Sequence, residues 1–494
     1  MSAIRRAEHG AAWLLLTHRT AVLLRLGADH ALFLPYWGPN GGADLLSDDV
    51  GGLPRNRPSQ AGFQDGQPLA YPVYGSPSFK EPCLVVSRSD GARGPRLGFV
   101  EDHVADTVLE LVFRDEVLDL RLIQRFQVFP ELDLVACSVV VANQGGQPLT
   151  LERALSGALP LPPASYDAFS LHGQWGREFQ LQTRPLLPGK LVLESRRGIS
   201  SAEAHPWFAV RPRGERSEHS GRVWFGSLAW SGNWVCVLEV ERNDAVHIAA
   251  GLQPFDFAWS LAPDEQFESP PLLLGYTEDG LGGASRLLHA YEETVQLPDR
   301  QRERARPILY NSWEATLFGV NADQQIGLAR QAAELGVERF VVDDGWFGAR
   351  DHDRAGLGDW TVNPHKFPGG LRPVVDEVQR LGMQFGIWVE PEMVNPDSNL
   401  YRAHPDWAHH TQRRTPTLGR NQLVLNFARP DVREAIYQQL SRLLTDHGRI
   451  DFLKWDHNRP WTEVGWPEEP RRQREAWVRH VLGVYEVLAR LRAA

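Results

Sequence analysis

A change of rhythm near Pro307 constrains this chain more than any other feature of its sequence. Ahead of it, from Ala12 to about Leu274, apolar runs are short and strand-like, and the breaks between them carry Gly, Pro, Asn and Asp. Leu118, Leu120 and Leu122 alternate with Asp119 and Arg121, as residues of a strand with one buried face do. Many such strands with no helix between them predict a large antiparallel β-sandwich. Behind Pro307 the pattern becomes strand, helix, strand, helix. Residues 308–313, 340–343, 385–389 and 451–455 read as strands. Helices follow each of them: 323–335 stopped by Gly336, a run through Val374, Val375 and Val378 stopped by Gly382, a run from Asp431 stopped by Gly448, and 473–491.

Consecutive strand and helix units make parallel strands covered by helices, hence a barrel or a doubly wound sheet. The polar residues favour the barrel. Trp313 and Glu314, Asp343 and Asp344, Trp388 and Glu390, then Lys454, Asp456 and Asn458 all stand at strand C-termini. In a (β/α)8 barrel those ends face one mouth. A doubly wound sheet gathers its chemistry at one switch point and usually carries a glycine-rich phosphate loop, and the sequence offers no convincing one. The predicted architecture is multidomain: an N-terminal β-sandwich over 1–281, a helical linker over 282–306 marked by charge and closed by proline, and a (β/α) barrel over 307–494. Four units are visible where a full barrel has eight, so about the first half of a barrel is expected.

A chain of 494 residues exceeds one ordinary core. Its 42% hydrophobic and 23% charged residues are those of a globular protein. The formal net charge of -10 repels phosphate backbones and anionic lipid, which argues against nucleic-acid and membrane-surface partners and suits a neutral substrate. Arg5 and Arg6 precede an apolar run, but His18 and Arg19 interrupt it and no small-residue cleavage site follows. No stretch reaches the roughly 20 apolar residues of a membrane span. Cys83, Cys137 and Cys236 are odd in number and far apart, as buried thiols in a reducing compartment are, so a cytoplasmic location is expected. Tryptophan, with 17 copies, offers flat apolar faces suited to sugar rings. Trp224, Trp230 and Trp234 lie in strand-like runs and read as packing.

The segment from Phe452 to Arg459 carries the sharpest chemical signal. Residues two apart in a strand share a direction, so Lys454, Asp456 and Asn458 project together while Trp455 and His457 turn away. A carboxylate beside a fixed cation stays ionised, as a carboxylate nucleophile must. The same residues also make an ordinary salt-bridged strand end followed by a turn. Asp343-Asp344-Gly345 on its own reads as a turn with a helix cap. Glu390 and Glu392 follow a strand and are candidate acids. His404, His409, His410 and the run Asp351-His352-Asp353 are candidate metal ligands, but their spacings fit no strong pattern, and no metal is expected.

Several stretches then occur in a telling order: Tyr310-Asn311-Ser312-Trp313-Glu314-Ala315-Thr316, Val342-Asp343-Asp344-Gly345-Trp346-Phe347-Gly348, Leu357-Gly358-Asp359-Trp360, Ile387-Trp388-Val389-Glu390-Pro391-Glu392-Met393-Val394 and Leu453-Lys454-Trp455-Asp456. With them the chain resembles the α-galactosidases of glycoside hydrolase family 36 over nearly its whole length. The resemblance implies a β-sandwich ahead of a barrel. It implies that Asp456 is the nucleophile of a retaining double displacement through a covalent glycosyl intermediate. Asp343 and Asp344 match a pair that binds hydroxyls of the galactose ring, as acceptor-only carboxylates do well. Lys454 and Asn458 match further substrate contacts, Trp388 a wall of the sugar site, and Arg420 a ring contact. Trp313 shapes the pocket or packs the first strand.

Glu390 and Glu392 do not match the family's acid and read as supporting residues. His457 stands where the family pattern more often has methionine. The family's general acid/base lies in a glycine-rich motif downstream of the nucleophile, roughly 5 Å from it across the scissile bond. This chain ends before such a motif, so a C-terminally incomplete fragment is expected, with sheet edges that favour association. The implied activity is release of terminal α-linked galactose from oligosaccharides such as melibiose and raffinose. No cofactor is implied, and full-length members are commonly tetramers. Two other readings stay open: a galactosyl-transferring relative resembling raffinose synthases, and a galactoside-binding fragment without turnover.

Overall fold

Leu120–Phe129 alternates buried and half-buried residues along its whole length, the period expected of a strand with one face in a core. It belongs to the first of two compact units, Met1–Arg302 and Glu303–Ala494. The computed structural model describes residues 2–8, 11–46, 64, 66–215 and 218–493. Among them, the strands of the first unit form a 4-stranded, a 6-stranded and a 10-stranded sheet. Neighbouring strands run antiparallel, as in the pairing of Leu120–Phe129 with Leu134–Asn143 and of Leu149–Leu161 with Val246–Leu252.

The two larger sheets lie face to face. A Cβ placed on Gly157, in Leu149–Leu161, would stand 3.0 Å from Cys137 Cβ and 3.7 Å from a methyl of Leu272, both on the 10-stranded sheet. The core between them is the expected β-sandwich. Cys83, Cys137 and Cys236 are free and buried. Burial pushes the Cys137 thiol up to about 12, which leaves it unreactive at neutral pH. Trp224 and Trp234 are packing residues as expected, with their indole N–H groups donated to the carbonyls of Trp37 (3.1 Å) and Ala204 (3.0 Å). The helix Gly280–Tyr291 buries Ala284 and Tyr291 in one cluster with Ala209 and Phe225.

The second unit is built from strands β1 (Leu309–Asn311), β2 (Arg339–Val342), β3 (Gln384–Val389) and β4 (Phe452–Trp455). Helices α1 (Ala322–Glu334), α2 (Arg372–Arg380), α3 (Pro430–Asp446) and α4 (Ala476–Ala493) alternate with them. The strands pair in parallel in the order β1-β2-β3-β4. Sequential order without reversal is the barrel arrangement, and it supplies half of the eight strands a TIM-type barrel uses.

Local sequence explains where these elements stop. Asn321 caps α1 by accepting the Gln324 N–H, and Gly336 and Gly382, both at φ +82, end α1 and α2 in the left-handed region that glycine favours. Val374, Val375 and Val378 lie in one buried cluster with Phe385 and Ile387 of β3. The first strand is shorter than the expected 308–313. Asn311 turns its Oδ1 onto the Trp313 N–H at 2.8 Å, an Asx turn that ends the strand and starts the short helix Trp313–Thr316. Among the described residues, no helix is long and apolar enough to cross a membrane.

Candidate active site

The site is a set of side chains at the C-terminal ends of β1 to β4. Strand alternation sends Lys454 and Asp456 to one side of β4, and Asn458 follows the same direction. Asp456 is held by neutral N–H donors rather than by cations. Trp388 Nε1 and Asn458 Nδ2 both donate to its Oδ2 at 2.8 Å, and the His457 backbone N–H donates to its Oδ1 at 3.0 Å. Its own N–H bonds Val389 O at 2.8 Å, which carries the pairing with β3 one residue past the strand.

Burial alone would raise the Asp456 carboxyl. The hydrogen bonds from Trp388 and Asn458, the Lys454 charge and the His457 N–H outweigh it and hold the group below the usual carboxylate range. The sequence pointed to Lys454 as the group that keeps Asp456 ionised. In the structure Lys454 acts on it only through its charge, because the ammonium is bonded to Asp343 Oδ2 at 2.8 Å.

Asp343 is 3% exposed and densely bonded. Its Oδ2 also accepts Asn311 Nδ2 at 2.5 Å, its Oδ1 accepts the Asp344 N–H at 2.9 Å, and its own N–H is fixed by Ser312 Oγ at 3.0 Å. Asp344 faces a different partner. Arg350 grips it through Nε (2.9 and 3.2 Å) and Nη2 (2.8 Å), with both side chains buried. Burial raises the Asp344 carboxyl, and the Arg350 hydrogen bonds and charge oppose that rise without cancelling it.

Trp388 is 2% exposed, so it offers the site its N–H edge. Its ring stacks on Phe347 at 6.0 Å and 13°, and its carbonyl accepts Trp346 Nε1 at 2.9 Å. Glu390 is 1% exposed and accepts the Asn458 backbone N–H at 2.8 Å. Burial and the nearby Asp456 charge push it up to about 7. Arg420 lies at the rim in a left-handed conformation (φ +49), with Nη1 3.4 Å from Asn458 O. Trp313 is half-buried and meets Phe318 edge-on at 5.1 Å. Thus Asp456, Asn458 and Trp388 form one bonded group and Asp343 and Lys454 a second, linked to the first by the Lys454 charge; Asp344 joins the second through its backbone, Arg420 touches Asn458 at the rim, and Trp313 stands beside β1.

Sequence reasoning missed Arg350, Asn311 and Trp346. Arg350 is a lone arginine in a loop, and nothing in its neighbourhood signals a partner. Asn311 could have been found, since it sits at a strand end beside the tryptophan that was singled out. His404 stacks on Trp407 at 3.9 Å, while His409 contacts Gly465 O and His480. Two of the candidate metal ligands, His404 and His409, are thus engaged in ring-stacking and hydrogen-bond contacts.

Two family models match the chain in tandem. Residues 31–262 match the glycosyl hydrolase family 36 N-terminal domain, and residues 266–494 match melibiase. The crystal structure of an α-galactosidase from Lactobacillus brevis superposes with a TM-score of 0.93 at 32% identity, over 99% of this chain and 69% of that one. The chain belongs to glycoside hydrolase family 36. Another family 36 structure, a variant of α-galactosidase AgaA from Geobacillus stearothermophilus in complex with raffinose, gives a TM-score of 0.90 at 36% identity, over 97% of this chain and 70% of that one. In sequence, AgaA is 41% identical over 438 residues, covering 85% of this family 36 chain and 60% of AgaA. Mel36A of Lactobacillus acidophilus is 33% identical over 449 residues, 87% of this chain and 61% of the relative. The chain therefore spans about three-fifths of the length of these relatives.

Proposed function

We propose that this chain carries the galactosyl-binding and nucleophilic part of a retaining α-galactosidase acting on terminal α-linked galactose of oligosaccharides such as melibiose and raffinose. The observation that carries the reading is Asp456, held ionised at a strand end by Trp388, Asn458 and His457. Oδ2 takes two donors, whereas Oδ1 takes one backbone N–H and keeps more of its lone-pair capacity. Oδ1 is therefore the attacking atom. It forms a bond to C1 of the sugar as the bond from C1 to the leaving oxygen breaks, and the product is a galactosyl ester of Asp456. Asp343, with Lys454 beside it, offers charge-assisted hydrogen bonds to ring hydroxyls. The relatives support the substrate class, since variants of AgaA were crystallised in complex with raffinose and with stachyose.

An activated donor tests this directly. α-Galactosyl fluoride expels a leaving group that needs no protonation, so ester formation depends on the nucleophile alone. Intact-mass analysis should show the gain of one galactosyl group, and peptide mapping should place it on Asp456. Asp456→Asn should abolish it. A label elsewhere, or none on a folded protein, would reject the reading.

A further inference from the structure

The two residues that turn away from the site on β4 converge on one group. Trp455 Nε1 donates to Glu392 Oε1 at 2.9 Å, and His457 Nδ1 lies 3.5 Å from the same oxygen. These are the immediate neighbours of Asp456 in sequence. Glu392 comes from the loop after β3 and is 7% exposed. Its other oxygen faces His480 Nε2 of α4 at 3.1 Å, and His480 Nδ1 faces His409 Nε2 at 3.4 Å. One buried carboxylate thus grips the residues on both sides of the proposed nucleophile and is itself anchored to a helix. The grip reaches the reacting group through a single peptide: the His457 N–H is the donor on Asp456 Oδ1, so fixing the His457 ring fixes the hydrogen bond on the attacking oxygen.

Resting on the reading of Asp456 as the nucleophile, we propose that Glu392 is a positioning residue that aims Asp456 from behind by clamping Trp455 and His457. A carboxylate buried this deeply is costly unless it is paired and hydrogen-bonded. Burial would raise Glu392, and the His457 charge together with the His457 and His480 contacts reverses that and holds it well below the usual carboxylate range. Burial likewise lowers His457, while the charges of Glu392 and Glu390 lift it above the ordinary imidazole value. His480 is pushed down by burial and serves as a neutral donor.

The titratable groups around the His457 ring are Glu392, Glu390 and His480. A raised imidazole keeps its proton below its folded pKa and loses it as pH rises through that value. The clamp therefore weakens as pH rises through the folded His457 value, which lies on the alkaline side of an ordinary histidine's titration. A simple packing role for Glu392 predicts no such pH dependence.

Single-turnover labelling of the chain by α-galactosyl fluoride, followed by mass as a function of pH and donor concentration, separates the two roles. Glu392→Gln keeps the shape and removes the charge. It should lower the maximal labelling rate by about 100-fold, the scale of a roughly 1 Å misplacement of a reacting group, with little change in the half-saturating donor concentration. His457→Met removes one side of the clamp, so it should lower the maximal labelling rate at every pH and leave a profile without the alkaline fall seen in the parent. Imidazole NMR adds an independent measurement: His457 should titrate above an ordinary histidine in the parent and fall to or below it in Glu392→Gln. A folded Glu392→Gln that labels at the parental rate with the parental pH profile overturns the proposal, as does a His457 that titrates normally in the parent. If the parent itself takes no label, the functional reading falls, and the NMR titration still decides whether Glu392 and His457 form the charged clamp.

Discussion

Asp456 shows how a carboxylate can be anionic without a direct ion pair. Three N–H donors surround it, and the nearest ammonium is committed to Asp343. Removing one donor should therefore move its titration. Trp388→Phe keeps the stack on Phe347 and deletes the N–H, so the folded pKa of Asp456 rises toward its ordinary value. A depressed carboxylate stays ionised to low pH, and the sign of the change is that the acid limb of the labelling rate moves upward. An unmoved acid limb in a folded variant would count against this electrostatic account. Arg350 tests a different kind of residue. Arg350→Met strands the buried Asp344 carboxyl and should cost about 3–5 kcal/mol in urea unfolding, most of it recovered when Asp344→Asn is added. Of these two residues only Trp388 was legible in the sequence. It closes a strand and belongs to a recognisable motif, whereas the Arg350 pairing depends on how a loop folds back six residues, which no local period encodes.

At the scale of elements, the helices and strands of the second unit could be read because each carries both a period and a stop. Glycines at the C-termini of α1 and α2 adopt the positive φ that their place in the sequence implied. Not every glycine there has that role. Gly386, inside β3, stands where a Cβ would meet Val341 at 2.9 Å and Phe452 at 3.0 Å, so strands β2, β3 and β4 approach one another around a missing side chain. Gly386→Ala should overpack that point and destabilise the unit by about 1–3 kcal/mol, while Gly327→Ala in α1, where a Cβ meets nothing within 4 Å, should be neutral or stabilising. Thermal melts of the two variants give the comparison, and equal shifts would mean that the close approach at Gly386 is relieved by strand movement. The sequence missed this because a glycine in a strand announces neither its neighbours nor its face. It also overran β1, since Asn311 and Ser312 look compatible with a strand until their side chains are seen taking backbone partners. In the first unit the strands were legible as a class, and their order across the sheets was not: Leu134–Asn143 pairs with Leu272–Thr277, far along the chain.

For the whole molecule, the question that decides the proposed reading is which half of a double displacement these residues would support. Among the carboxyls at the strand ends and in their loops, four stand with Asp456 in the contacts described above: Asp343, Asp344, Glu390 and Glu392. Asp344 is gripped by Arg350 and Glu392 by its tryptophan and histidine partners, while Asp343 carries Lys454 and Asn311. Glu390 is the one pushed up to about 7, a value suited to proton transfer, but it is 1% exposed and bonded to the Asn458 backbone. None of these four is free to meet a leaving oxygen or to activate a water. Glycosylation of Asp456 by an activated donor should then be far faster than hydrolysis of the resulting ester, because the second step needs a base at the water. The chain should accumulate labelled protein from α-galactosyl fluoride and release raffinose-derived galactose slowly. Azide, a nucleophile that needs no base, should accelerate loss of the label and yield galactosyl azide. Rapid turnover of raffinose by this chain, with no gain from azide, would instead make one of the four carboxyls the acid/base, and Glu390→Gln would be the first variant to measure, since only Glu390 combines a raised pKa with a place beside Asp456.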